Sequence, residues 1–257
     1  HVGVVYRVRG VDYEGLSHAQ RQTIGHRFAA GLRLLDEHCR VYQYLLKRTI
    51  APIVSAPCPQ PIAHEAIQSR AAYLNARRHE LYDLSMYLVL LYEAPHVVRR
   101  STQLGRSWQA PRDALRAWLS ADHTRHILEA ELDRAIGTLH HKAQALEVQV
   151  SDIGLTRLAK ADAFRFFRQL VNYDPAAIDA ARLTHDTHLD YFVPDSAIDC
   201  HRDHLMVGDR FVKVLSMKEP PSQTFAFLLQ DLYEIPGELI ACLEWQRVPN
   251  ATIRREL

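Results

Sequence analysis

Histidine, cysteine and aspartate are the residues of this chain with the most chemistry to offer. Fifteen histidines stand among the 257 residues, and three pairs lie at the i, i+3 spacing: His123/His126, His185/His188 and His201/His204. The densest stretch holds His185, Asp186, His188, Asp190, Asp199, Cys200, His201, Asp203 and His204. Imidazoles, carboxylates and a thiolate in that mixture are the donor set for zinc or another divalent ion. A stand-alone metal-dependent enzyme built on His185 to His204 is one reading. The plainer reading is a group of solvated polar residues in turns and at strand ends, which assigns no metal ligand. His140 and His141, on the polar face of a long helix, take that plain reading too.

Other chemistries leave less trace. No G-x-x-x-x-G-K-[ST] loop and no G-x-G-x-x-G occurs, so the glycine-rich backbone cradle for phosphates is missing. There is no G-x-S-x-G elbow either. Cys39 and Cys242 lie in strand patterns, where a thiol behaves as a small apolar group, and Cys58 sits in a proline-rich loop without a motif. Candidate catalytic and nucleotide-binding residues are therefore none. A DNA-binding module is the other alternative, resting on Arg77-Arg78, Arg99-Arg100, Arg106 and the run Phe164-Arg-Phe-Phe-Arg168. At helical spacing, however, Phe164, Phe167 and Leu170 face a core while Arg165 and Arg168 face water. With 31 basic against 30 acidic side chains, the net charge of +1 gives no general drive toward nucleic acid.

The elements that must position these residues alternate in type, which predicts an α+β class. Val2 to Arg9 reads as a strand, and Ser17 with Gln20 as a capping box opening a helix whose stripe is Ile24, Phe28, Leu32 and Leu35. Cys39 to Lys47 returns to strand character. Pro52, Pro57, Pro59 and Pro61 forbid a helix interior or central strand, so a loop follows, then a helix over about 62–78. Tyr82 to Tyr92 is a long strand that becomes fully apolar near its end.

Residues 96 to 110 read as a basic loop. Leu128, Leu132, Ile136, Leu139, Ala143, Leu146 and Val150 then mark one long helix. Gly154 breaks it before a second helix, Leu155 to Val171, with which it would form a helical hairpin. Leu189 to Val193 and Phe211 to Leu215 are strand-like. Ser222 or Thr224 caps a short helix through Leu232, Pro236-Gly237 turns the chain, and Leu239 to Trp245 is a final strand. Together the last three elements suggest a βαβ-like unit. The expected organisation is an N-terminal α/β subdomain over 1–95, a mainly helical insertion over 96–180 and a C-terminal α/β unit over 181–257. The longest apolar runs, such as Tyr87 to Tyr92, are far shorter than the roughly 20 residues of a membrane span. Four scattered cysteines do not make a disulfide scaffold and suit a reducing compartment. The opening at His1, directly into a strand, and a helix-like close over 252–257 suggest a piece of something longer.

Several segments carry a resemblance. Tyr6 to Gly15, Phe166 to Pro175, Asp190-Tyr-Phe-Val-Pro-Asp195, Cys200-His-Arg-Asp-His204, Phe211-Val-Lys-Val-Leu-Ser-Met-Lys-Glu-Pro-Pro-Ser-Gln-Thr224 and Leu232 to Arg247 resemble the N-terminal region of the TrbE/CagE/VirB-type conjugal transfer ATPases of type IV secretion systems. The resemblance implies an α+β domain followed by a RecA-like ATPase domain with Walker motifs. It implies a cytoplasmic protein, peripheral to the bacterial inner membrane, that assembles as a hexamer with copies of itself. This module would dock the motor on inner-membrane components for pilus assembly and substrate transfer. Direct binding of nucleic acid is not expected of it. No cofactor is expected in this chain, and ATP and Mg would belong to the following domain of the parent, so no catalytic residue carries over. Arg99, Arg100 and Arg106, in the basic loop, are the candidate partner-docking residues.

Overall fold

The computed structural model describes residues 1–12, 14–94, 121–184, 189–217 and 229–248, without the side chains of 121–124 and 127. In chain order the first elements are β1 (Val2–Val8), α1 (His18–Arg33), β2 (Cys39–Thr49), α2 (Pro61–Ala76), β3 (Tyr82–Tyr92) and α3 (Ala121–Gln149). They are followed by β4 (Leu155–Arg157), α4 (Lys160–Val171), α5 (Pro175–Ala180) and α6 (Leu189–Phe192). The last are β5 (Ile198–Cys200), β6 (Leu205–Val207), β7 (Arg210–Val212), α7 (Gln230–Glu234) and β8 (Leu239–Gln246). A five-stranded sheet has the order β4-β1-β3-β2-β8, and a three-stranded sheet the order β5-β6-β7. The class is α+β, as the alternation of patterns predicts.

Two compact units divide the chain, each from interleaved stretches. The first comprises His1–Tyr44, Met86–Arg157 and Cys242–Leu257, and the second Leu45–Ser85 and Leu158–Ala241. In the first, β1 pairs antiparallel with β3 from Val2↔Tyr92 to Val8↔Met86, and with β4 from Tyr6↔Arg157 to Val8↔Leu155. Leu88 and Leu90 of β3 share a face because side chains alternate along a strand. They meet Leu139, Ala143 and Leu146 of α3 and Val150 just past its end, whose 4, 3, 4 spacing puts them on one helical stripe. Leu128 and Leu132 continue that stripe but remain exposed, so only the second half of α3 is a core element. The Ser17–Gln20 capping box starts α1, with both reciprocal bonds present. Gly31 lets α1 approach α3 closely, since a Cβ there would sit 3.0 Å from both Leu146 and Val150.

Three expectations need correction. The helix after α3 does not begin at Leu155 but at Lys160, because residues 155–157 form β4. Gly154 adopts φ 70°, a left-handed conformation that suits glycine, and the chain leaves it extended as β4. The Arg9 amide donates to the Gly154 carbonyl at 3.0 Å, so the ladder with β1 captures residues 155–157 before α4 begins. Leu189 to Val193 is not a strand but the short helix α6, closed by a Val193 amide to Leu189 carbonyl bond of 2.8 Å. The strand before Pro220 covers only Arg210–Val212, and the βαβ-like unit does not form, because β7 and β8 belong to different sheets. A tight turn at Gly208, φ 61°, gives β7 its partner locally, with Val207↔Arg210 as the closing pair. The cap at Ser222 or Thr224 lies outside the described residues.

Candidate interaction surface

The second unit is organised around a cation. Helix α4 carries Phe164, Arg168 and Asn172 at successive i+4 positions, the last just past the helix end, so all three fall on one stripe. Phe164 and Phe166 are buried, and Arg168, expected in water, is only 1% exposed. This too is a correction: a guanidinium can be buried when its donors are satisfied, and here they are. Nε donates to the Ile178 carbonyl at 2.9 Å, and Nη2 to Asp195 Oδ2 at 2.9 Å. Further bonds reach the carbonyls of Phe192 and Ala177.

Asn172 completes the hub. Its Nδ2 donates to the Arg168 carbonyl at 3.0 Å and the Val193 carbonyl at 2.8 Å. Its Oδ1 accepts from the amides of Asp195 at 2.9 Å and Ser196 at 3.1 Å. Two side chains therefore fix the backbone of Phe192 to Ser196, which a short irregular segment could not fix by its own ladder. The next residue, Ala197, accepts from the Gly208 amide at 2.9 Å, tying the β6–β7 turn to the same hub.

What this framework holds outward is apolar. Phe211 and Leu215 are each 77% exposed, and Val214 and Met217 are similarly open. Four large exposed apolar side chains within seven residues form the kind of patch that marks a protein-contact site. His204 lies beside Phe211, ring centroids 5.2 Å apart, and stacks on His201 at 4.6 Å.

The same unit contains a second buried cation. Lys47 of β2 donates from Nζ to the carbonyls of Tyr233 at 2.8 Å and Ile235 at 2.7 Å, and lies 4.3 Å from the Tyr82 ring centroid. Tyr82 in turn accepts from the Gly237 amide at 2.8 Å. Arg48 donates to the Gln169 carbonyl at 2.7 Å and stacks over Tyr173. The Thr49 amide donates to Glu238 at 2.9 Å. Lys47 and Thr49 of β2 thus hold the segment that leads into β8.

The residues singled out from sequence fare unevenly. Arg99, Arg100 and Arg106 lie outside the described residues, as do His185, Asp186 and His188. Asp190 falls on α6, and Asp199 and Cys200 on β5, while His201 and His204 stack at the turn beyond it. Among the described residues no three His, Cys, Asp or Glu side chains come together as a metal site. In the aromatic-basic run, Arg165 donates from Nε and Nη2 to the two carboxylate oxygens of Asp179, at 2.7 and 3.1 Å, and Arg168 is buried. Neither stands ready for a phosphate. Arg168, Asn172 and Lys47 are the residues sequence reasoning missed. The 164/168/172 stripe was the available signal.

Charged groups in the first unit are structural. Burial alone would raise the Asp36 carboxyl, but the Lys142 ammonium at 2.7 Å reverses this and holds it below the usual carboxylate range. Glu147 behaves alike, with burial opposed by the bond from Arg157. Burial, and then Glu147, drive the Tyr6 phenol far above its ordinary range. Burial pushes the Cys39 thiol up to about 11. These are inert groups rather than nucleophiles.

Residues 2–100 match the family described as type IV secretion system ATPase VirB4/TrbE, N-terminal domain. No curated protein matches the chain.

Proposed function

Since residues 2–100 match the VirB4/TrbE N-terminal domain family, we propose that this chain is the noncatalytic docking module of a type IV secretion ATPase. It holds the motor against inner-membrane components on the cytoplasmic side during pilus assembly and substrate transfer. The family match is the observation that carries this reading, and the apolar strip at Phe211 to Met217 supports it. A motor domain that moves during ATP hydrolysis needs a separately folded part that resists the movement. In the second unit, buried bonds from Arg168, Asn172 and Lys47 tie irregular segments to regular elements, which suits that mechanical role. No helix of the described residues is long and apolar enough to cross a membrane. ATP and Mg are bound by the RecA-like domain of the parent, which also contributes to its hexamer.

The test is co-purification with the inner-membrane components of the cognate secretion system. The double variant Phe211→Ser/Leu215→Ser is expected to lose capture by at least about tenfold, roughly 1.4 kcal/mol, because both side chains are already exposed and their removal leaves the fold intact. Full capture by this variant would remove the strip from the interface. Charge reversal at Arg99, Arg100 and Arg106 that leaves capture intact would likewise remove the basic loop. Failure of the unaltered chain to capture any such component would overturn the docking role itself.

A further inference from the structure

Residues 50–60 join β2 to α2 and include Pro52, Pro57 and Pro59, and Pro61 opens the helix. A proline has no N–H, so such a segment cannot knit itself together with a backbone ladder. Burial holds little of it either: Val54 is 88% exposed, and Pro57 and Pro59 are exposed too. Two side chains of α2 fix it instead. Asn75 clamps one end, its Oδ1 accepting from the Ile53 amide at 2.8 Å and its Nδ2 donating to the Ile53 carbonyl at 3.0 Å. His64 clamps the other, its Nδ1 accepting from the Cys58 amide at 3.3 Å. Positions 64 and 75 are about three helical turns apart, so both clamps stand on the same face of α2.

The clamps differ in chemistry. A carboxamide keeps its acceptor at every pH. An imidazole accepts at one nitrogen only while it is neutral, and as a cation it donates from both. A backbone amide can only donate, so the bond to Cys58 requires a neutral His64 ring with its proton on Nε2. That Nε2 lies 2.8 Å from the Gln68 side-chain amide, and a half-turn of the amide presents an oxygen to it. Protonation sets an Nδ1–H against the Cys58 N–H, donor facing donor. We propose that His64 is an acid-released latch on the proline loop: the gain of a proton frees residues 56–60, with the half-buried Cys58 thiol, while Asn75 keeps the loop tethered at Ile53. No neighbouring charge takes over the bond. The loop carries no Asp, Glu, Lys or Arg, and its one ionisable group is Cys58. Gln60, Pro61, Ile67 and Gln68, three and four positions from His64, are uncharged, and the charged residues of α2, Glu65 and Arg70, lie on other faces of the helix. Among the described residues, the groups bonded to the ring are the Cys58 amide and the Gln68 side chain. This inference does not rest on the docking role.

Solvent-exchange NMR on the whole chain tests the latch between about pH 8 and pH 5, the span over which histidines gain charge. The readout is the protection of the Cys58 amide divided by that of the Ile53 amide at the same pH, a ratio from which the intrinsic pH dependence of exchange cancels. The ratio should fall about fivefold, with the midpoint of the His64 ring signals. His64→Asn sets an uncharged carboxamide oxygen near the place of Nδ1 and should hold the ratio constant. His64→Ala should keep it low throughout. Should either variant misfold, the titration of the unaltered protein decides alone. A Cys58 amide without protection at pH 8, a ratio that stays flat while His64 titrates, or an equal fall in His64→Asn would overturn the latch.

Discussion

In the unit that contains β1 and the second half of α3, the most deeply buried positions are largely apolar: Leu35, Leu90, Ala143, Leu146 and Val150. The unit that contains α4 instead buries Arg168, Asn172 and Lys47 beside Phe164 and Phe166. The contrast follows from what each must hold. Two regular layers, a sheet and a long helix, satisfy their own backbone bonds and need only nondirectional apolar contact to join. Irregular segments such as Phe192 to Ser196 leave carbonyls and amides without ladder partners, and a guanidinium and a carboxamide supply them. Apolar packing tolerates substitution gradually. A polar hub is satisfied as a whole or fails as a whole.

The sharpest way to break this comparison is Arg168→Ala, which leaves the carbonyls of Ala177, Ile178 and Phe192 and the Asp195 carboxylate without their donor. We expect a loss of about 3–5 kcal/mol by urea denaturation, with exchange rising first across residues 189–200. A loss near zero would mean that the hub does not hold the unit. In the other unit, Leu146→Ala opens a cavity between α3 and the sheet, and the expected cost is about 3 kcal/mol, again read from the urea midpoint. Its effect should be spread over the whole unit rather than one segment. Ser17→Ala removes the capping box of α1, with an expected cost of about 1 kcal/mol and fraying confined to the first turn, as amide exchange would show.

The smallest effect is electrostatic. Asp36 and Glu147 both have folded pKa values below their ordinary ones, held there by Lys142 and Arg157 against the effect of burial. A depressed pKa gives stability that is present at neutral pH and lost as the pH falls below about 4 and through the folded values. Both ion pairs are partly exposed, which limits the size of the loss. Thermal melts between neutral and acid pH should show the decline, and Lys142→Met with Arg157→Met should flatten it. An unchanged acid limb in that double variant would assign the decline to other carboxylates.

Where apolar periodicity was long, it was a sound guide. The bounds of β3, the capping of α1 and the length of α3 follow from spacing alone, because each repeats a pattern over many residues. Short elements were harder. Leu189 to Val193 has strand composition yet forms α6, because four or five residues state no period and the hub at Arg168 and Asn172 binds the carbonyls of Phe192 and Val193. Leu155 to Arg157 likewise reads as the start of a helix, and the edge of β1 claims it for the sheet. The candidate interaction surface was half legible. Phe211 to Met217 stood out as family-like, but its exposure could not be read from a run of apolar letters, which would serve a buried strand equally well.

By itself the sequence determined the α+β class, the long regular elements and the likeness of residues 2–100 to the VirB4/TrbE N-terminal domain family. These rest on local spacing and residue type, which a chain carries before it folds. Only the tertiary structure decided that Arg168 is buried and that β7 and β8 lie in different sheets. The physical reason is that burial of a charge and the pairing of strands are settled by partners distant along the chain. Asp195 is 27 residues from Arg168, and Ile235 is 188 from Lys47. No spacing rule within a window of one helix or strand reaches that far.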